Sequence, residues 1–309
     1  MSHDSPVIAI DHLVRRYGRT DAVDGLSLQV QPGRCYGFFG RNGAGKTTTI
    51  KCLLNLLRPT TGEVRVFGLD PARAEVAVKS RLAYVPDRVA FYPWMTVRDT
   101  LEYFASFRTH WNRDIENDLM KRFGLNANQK ASSMSKGQKT QLALITAVCP
   151  EPELLVLDDP ALGLDPVARR SLLQSMLYVT RKADRTIFFS SHLLSDVERV
   201  ADRIAVLDGK VLRADCSVET FRRQIRHFVL KFRETPPLTP DLPGLLESFR
   251  SDSEMGLTLA NVTPDIENRL NALQPQSIEP VDLTLEDAFI SYVGERGEKT
   301  FFMNGKEGK

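Results

Sequence analysis

The run Gly40-Arg41-Asn42-Gly43-Ala44-Gly45-Lys46-Thr47 has the spacing G-x-x-x-x-G-K-[ST], which suits a loop that cradles phosphates. Its glycines let backbone N–H groups turn inward on phosphate oxygens. Lys46 can reach the β- and γ-phosphates, and the Thr47 hydroxyl can ligate Mg²⁺. A second chemical group is Asp158-Asp159, directly after the apolar run Leu154-Leu155-Val156-Leu157. One aspartate alone could cap a turn. A pair at the carboxyl end of a buried strand, in a chain with a phosphate loop, fits Mg²⁺ and water chemistry. His192 follows another apolar run, Thr186 to Ser190. A lone histidine after a strand is more often structural, but this strand is expected to lie beside the acid-bearing one.

These residues need elements to hold them. Cys35-Tyr36-Gly37-Phe38-Phe39 reads as a short buried strand leading into the phosphate loop. Thr47 to Leu57 reads as a helix, with Ile50, Leu53, Leu54 and Leu57 on one face. The N-terminus of that helix adds a partial positive charge where phosphate would sit. Upstream, Val7–Ile10 and Leu26–Val30 read as strands, and Pro32-Gly33 as a turn. Tyr17 is either a half-buried strand aromatic or a ring for stacking on a base. Glu63–Gly68 and Leu82–Val85 are further strands, with a short helix Arg73–Ser80 between them. Pro86-Asp87 then breaks the pattern.

Residues 86 to about 134 are helical and rich in aromatics: Phe91, Tyr92, Trp94, Tyr103, Phe104, Phe107 and Trp111. Most of these rings are expected in a satellite helical core, with some left for a partner's helix. Thr96-x-x-Asp99 and Ser135-x-x-Gln138 both have capping-box spacing. The second opens a helix running to Val148, whose N-terminus is also a possible anion site. Gly163-Leu164-Asp165-Pro166 turns into a helix from Val167 to Lys182. Arg203–Leu207 and Lys210–Ala214 form a hairpin about Asp208-Gly209.

The character changes near 216–226. Ser217–Ile225 reads as a linking helix. After it come a strand Phe228–Phe232, a stretch with Pro236, Pro237, Pro240 and Pro243, a strand Leu257–Leu259, a helix Asp265–Leu273 and a last helix capped by Thr284 and Asp287. The domains expected are therefore 7–216, a linker over 217–226, a small α+β domain over 227–294 and a flexible tail over 295–309.

Composition narrows the class. The chain has 309 residues, a formal net charge of +2 and four scattered cysteines. No nucleic-acid partner follows from that charge, and the cluster Arg222, Arg223, Arg226 reads as a solvated face. With no C-x-x-C pair, a reducing compartment fits. The start MSHDSPVIAIDH has no signal-peptide core, and no apolar run reaches the roughly 18 residues of a membrane span. A membrane role would therefore act through another chain.

Taken in order, these landmarks resemble the ATP-binding cassette (ABC) ATPases over about residues 7–216. The match rests on Tyr17, Gly40–Thr47, Asp87, the signature Met134-Ser135-Lys136-Gly137-Gln138, Asp158-Asp159 with Gly163-Leu164-Asp165, and His192. The C-terminal part, with Leu285-Glu286-Asp287-Ala288-Phe289, is similar to the extra domain of bacterial ABC-2-type exporter ATPases. The resemblance implies an α/β fold: a P-loop NTPase core with an antiparallel β subdomain and a helical subdomain (about 86–150), plus the small α+β domain.

It also implies an ATPase that takes ATP and Mg²⁺. Gly40, Asn42, Gly43, Gly45, Lys46, Thr47 and Thr48 would surround the phosphates, and Tyr17 would stack on adenine. Thr47, Asp158 and Asp87 would serve the metal. Asp159 would polarise the attacking water, and His192 would touch the γ-phosphate. Two copies would pair head to tail, with Ser135, Gly137 and Gln138 of one facing the ATP of the other, and Asp165 coupling the sites. A separate permease would dock on the aromatic helical segment, placing the chain at the cytoplasmic face of the inner membrane.

The pattern departs from the family where Asp87 replaces glutamine, Lys136 replaces glycine and Asp159 replaces glutamate. A misplacement of about 1 Å can cost roughly 10²-fold in rate, so a shorter acid matters. Three functions compete. They are an exporter ATPase, an ATP-dependent dimerisation switch with little hydrolysis, and a soluble cassette ATPase of DNA repair or translation. The last ranks lowest, because neither a coiled-coil insertion nor a tandem cassette is visible.

Overall fold

Apolar residues alternate with polar ones through β1 (Ile8–Tyr17) and β2 (Thr20–Val30), and Ile8, Ile10, Leu13, Val23, Leu26, Leu28 and Val30 are buried. The computed structural model describes residues 5–183, 185–293 and 303–304. Over the chain two compact units separate, Met1–Leu212 and Arg213–Lys309.

The first unit continues with β3 (Cys35–Gly40), α1 (Lys46–Leu53), β4 (Thr61–Val66), α2 (Glu75–Lys79), β5 (Leu82–Val85), α3 (Val97–Ser106), α4 (Arg113–Phe123), α5 (Lys136–Val148), β6 (Leu154–Leu157), α6 (Pro166–Ala183), β7 (Thr186–Ser191), α7 (Leu194–Val200) and β8 (Arg203–Asp208). It has two kinds of sheet. β2, β1 and β4 make a three-stranded antiparallel sheet. β8, β3, β7, β6 and β5 lie side by side in that order, all parallel. Parallel strands covered on both faces become near-continuous apolar runs, and β3, β6 and β7 are buried throughout. Tyr36, Phe38 and Phe188 pack ring on ring across β3 and β7.

The sequence places the end of the phosphate-loop helix at Leu57, but α1 stops at Leu53. Asn55 takes φ 54, and the chain turns there. Leu57 still packs against the core that holds Ile50, Leu53 and Leu54, so the apolar spacing survives the break.

Both expected capping boxes form, Thr96 with Asp99 on α3 and Ser135 with Gln138 on α5. The buried centre of the helical segment is aliphatic: Val97, Leu101, Ile115, Leu119 and Leu125. This corrects the expectation that most of the aromatic rings fill that core. Tyr92, Trp94, Tyr103 and Phe107 are exposed, and they form ring–ring pairs: Tyr92 with Trp94 and Tyr103, and Tyr103 with Phe107.

The second unit contains β9 (Val211–Ser217, which begins just before the division), α8 (Val218–Gln224), β10 (Ile225–Lys231), β11 (Leu245–Arg250), β12 (Glu254–Ala260), α9 (Pro264–Ala272), β13 (Ser277–Val281) and α10 (Leu285–Val293). Four of its strands form an antiparallel sheet in the order β11, β12, β10, β13. Phe228, Leu230, Met255, Leu257 and Leu259 pack with Ile266 and Leu270 of α9. β11 and β13 lie outside the strands expected from sequence. Both are edge strands: β11 is largely exposed, and Pro280 in β13 argues against a strand everywhere except at an edge. The expected flexible tail over 295–309 lies outside the described residues except for 303–304.

Candidate functional site

All the strand ends that carry chemistry meet at the carboxyl edge of the parallel sheet, where β3 lies next to β7 and β7 next to β6. β3 delivers Gly40, β6 delivers Asp158 and Asp159, β7 delivers His192, and β5 delivers Asp87. The phosphate loop crosses this edge. Gly45 is the N-cap of α1 at φ 110, and a Cβ there would lie 2.4 Å from the Ala22 carbonyl oxygen. Only glycine fits that turn. No side chain caps the terminus, so its first N–H groups stay available. Asn42 and Gly43 are exposed on the loop, while Thr48 is half-buried on α1.

Lys46 is buried, and its Nζ donates to the carbonyls of Gly40 (2.6 Å) and Arg41 (3.2 Å). Burial lowers its pKa, opposed by the charges of Asp159 and Asp158. Asp158 is 1% exposed. Its Oδ1 accepts from the Thr47 hydroxyl at 3.1 Å and the Ser190 hydroxyl at 2.7 Å. Its Oδ2 is buried and, among the described residues, has no hydrogen-bond partner. Burial raises the pKa of this carboxyl; the Ser190 and Thr47 hydrogen bonds oppose the rise, and the charges of Asp87 and Asp159 add to it. A carboxylate oxygen left bare beside a hydroxyl ligand suits a hard divalent cation. Asp87 is half-buried, and its charge also reaches Tyr84, whose hydroxyl is pushed up chiefly by burial.

Asp159 sits at φ 46, a left-handed conformation that costs a non-glycine residue on the order of 1 kcal/mol and that Asp tolerates better than most. Its N–H donates to Ser190 Oγ at 2.8 Å. Both carboxylate oxygens face His192 Nδ1, at 3.0 and 2.8 Å. The structure thus joins two residues to which the sequence assigned separate tasks. It also joins both acids through Ser190, which the sequence reading did not single out. A hydroxyl at the carboxyl end of a buried apolar strand was the available signal.

The remaining residues form a second group. Ser135 Oγ accepts from the Gln138 N–H at 3.2 Å, and Gln138 Oε1 accepts from the Ser135 N–H at 2.9 Å. The Gln138 amide also exchanges hydrogen bonds with Gln129 at 3.3 and 3.4 Å. Gly137 is buried, and a Cβ on it would lie 3.0 Å from that of Ala168. Asp165 Oδ1 accepts from the N–H groups of Val167 and Ala168, both at 3.0 Å. So the signature turn packs on the start of the helix that Asp165 caps. Among the described residues, no hydrogen bond ties this group to the phosphate loop. Tyr17 is 47% exposed at the end of β1, with the Arg15 guanidinium 4.7 Å over its ring.

A glycine loop between a central parallel strand and a helix, flanked by an acid-tipped strand, defines a phosphate-loop nucleoside triphosphatase. Residues 23–162 match the family model of the ABC transporter domain. The chain is 34% identical over 211 residues to the bacitracin transport ATP-binding protein BcrA of Bacillus licheniformis, covering 67% of this chain and 69% of that one. It is 31% identical over 305 residues to the uncharacterized ABC transporter ATP-binding protein YhaQ of Bacillus subtilis (strain 168), covering 93% and 99%. A solved ATP-binding subunit of an ABC transporter superposes with a TM-score of 0.63 at 28% identity, over 71% of this chain and 92% of that one. The protein belongs to the ABC transporter family as an ATP-binding subunit, and it is an ATPase.

Proposed function

We propose that this chain hydrolyses ATP to drive an exporter whose membrane-spanning part is a separate permease. The observation that carries the reading is the acid pair at the end of β6, in which the buried Asp158 accepts a hydrogen bond from the phosphate-loop residue Thr47. Transport is supported by the relative named for bacitracin transport, and export by the Nod factor export ATP-binding protein I of Rhizobium meliloti (strain 1021), 34% identical over 212 residues. A separate permease is supported by the absence, among the described residues, of any helix long and apolar enough to cross a membrane. The chain then works from the cytoplasmic face of the inner membrane, with the exposed rings of Tyr92, Trp94, Tyr103 and Phe107 available to the permease. No nucleic-acid partner is part of the reading.

Lys46 and the N–H groups of the loop hold the triphosphate, and Tyr17 offers an exposed ring for the base. Thr47 and Asp158 hold Mg²⁺, with Asp87 adding negative charge beside them. The ion, when bound, neutralises charge that develops on the transferring phosphoryl oxygens. Asp159 accepts a proton from, or orients, the attacking water, and His192 holds that carboxylate in place. A second copy, packed head to tail, supplies Ser135 and Gly137, and Asp165 links the two sites.

Purified chain and permease in vesicles should show ATP-dependent transport and stimulated hydrolysis. Absence of both would reject the exporter reading. One observation favours a second reading, a switch that dimerises on ATP and hydrolyses it slowly. Asp159 is short, and both its oxygens are engaged by His192. Turnover of Asp159→Glu separates the two readings, because a faster enzyme marks the parent as a slow switch.

A further inference from the structure

We infer that Ser190 is a positioning residue that sets the geometry between the two acids of the ATPase site. Its hydroxyl donates to Asp158 Oδ1 at 2.7 Å and accepts from the Asp159 N–H at 2.8 Å. The serine is fully buried at the end of β7, beside the strand that carries both acids. A hydroxyl has one proton, and here that proton is committed to the carboxylate while a lone pair takes the amide. The direction of both bonds is thereby fixed.

Each bond restrains something hydrolysis needs. The bond to Oδ1, with that from Thr47, fixes the rotation of the Asp158 carboxylate, so that the partnerless oxygen is Oδ2. Without these bonds the carboxylate would turn more freely about its Cβ–Cγ bond and lose its preset orientation toward a cation. The bond from the Asp159 amide holds that residue at φ 46, a conformation a non-glycine residue leaves readily unless something pins it. In that conformation its carboxylate meets His192. The side chain of Asp159 is short, so its reach depends on where the backbone puts it. Ser190 therefore does for the shorter acid what an extra methylene would otherwise do. This rests on the roles proposed above for Asp158 and Asp159.

The test uses the full chain with Ser190→Ala, Ser190→Thr and Ser190→Cys, and Asp158→Asn and Asp159→Asn alongside. The readouts are kcat, KM for ATP, the thermal midpoint, and Mn²⁺ affinity by EPR with a non-hydrolysable ATP analogue. Removing a buried hydrogen bond to a charged group should lower kcat of Ser190→Ala roughly 10- to 100-fold, with a smaller change in KM. Mn²⁺ affinity should weaken by about 10-fold. Ser190→Thr keeps the hydroxyl and should recover most of both, while Ser190→Cys should behave like Ser190→Ala. If Ser190→Ala does not fold, the Thr and Cys variants decide.

The inference is overturned if the alanine variant, or cysteine in its place, keeps kcat and Mn²⁺ affinity near parent values whatever its thermal midpoint. Inert Ser190 variants beside silenced aspartate variants overturn this inference alone. Aspartate variants with parental hydrolysis overturn the underlying reading and this inference with it.

Discussion

The two helix N-termini that can meet phosphate, those of α1 and α5, are built in opposite ways. At α1 the cap is a glycine with no side chain to offer, and the first N–H groups await a ligand. Around it Lys46, Asp158 and Ser190 are buried. At α5 the cap is closed on itself, with Ser135 and Gln138 satisfying each other's backbone, and both Ser135 and Lys136 lie at the surface. One terminus is organised for a ligand within a single chain. The other is complete without one, so a phosphate contact by Ser135 has to share or replace the cap. This is the asymmetry expected if the first grips nucleotide and the second joins only when a facing copy closes.

The largest effect that would test this contrast is at Lys46. Lys46→Ala should abolish measurable hydrolysis and weaken ATP binding roughly 10- to 100-fold, as loss of charge-assisted contacts predicts; calorimetric titration checks it. Retained affinity would show that the buried terminus is not the gripping one. Next is Asp159→Asn, which should lower kcat by about 10²-fold while leaving ATP affinity nearly unchanged. Steady-state hydrolysis beside equilibrium binding reads both, and unchanged turnover would remove Asp159 from the chemistry.

Ser135→Ala sharpens the other side. Loss of the cap should cost about 1 kcal/mol of stability in a denaturant titration. ATP affinity of the lone chain should stay put while ATP-triggered pairing weakens; weaker affinity in the lone chain would break the contrast. The smallest effect belongs to Lys136, a cation in the first turn, where the helix dipole disfavours it. Lys136→Glu should gain roughly 0.5 kcal/mol of stability yet reduce permease-stimulated hydrolysis, since a carboxylate there repels the facing triphosphate. A variant that is both more stable and fully stimulated would place the signature turn away from the nucleotide.

The reach of the sequence followed the range of the interactions. The capping boxes at Thr96–Asp99 and Ser135–Gln138 involve residues within one turn, and both were legible from spacing. So were the strand, glycine loop and helix around Lys46, because periodicity and positive-φ glycines are local signals. The stop of α1 at Leu53 was not, since Leu54 and Leu57 keep helical spacing after the helix has ended. The edge strands β11 and β13 were illegible for a different reason. Their pairing comes from β12 and β10, and their own residues are mostly exposed or, at Pro280, unfavourable for a strand.

By itself, then, the order of residues determined which groups could bind phosphate and which strands would be buried, because those depend on neighbours a few positions away. Only the packed sheet decided what the groups do to one another. Ser190 touches both acids because β7 lies between β3 and β6. Asp159 turns to His192 because its backbone is pinned at a positive φ. Strand adjacency closes long loops of chain, and no short stretch of sequence encodes a contact whose two halves come from different strands.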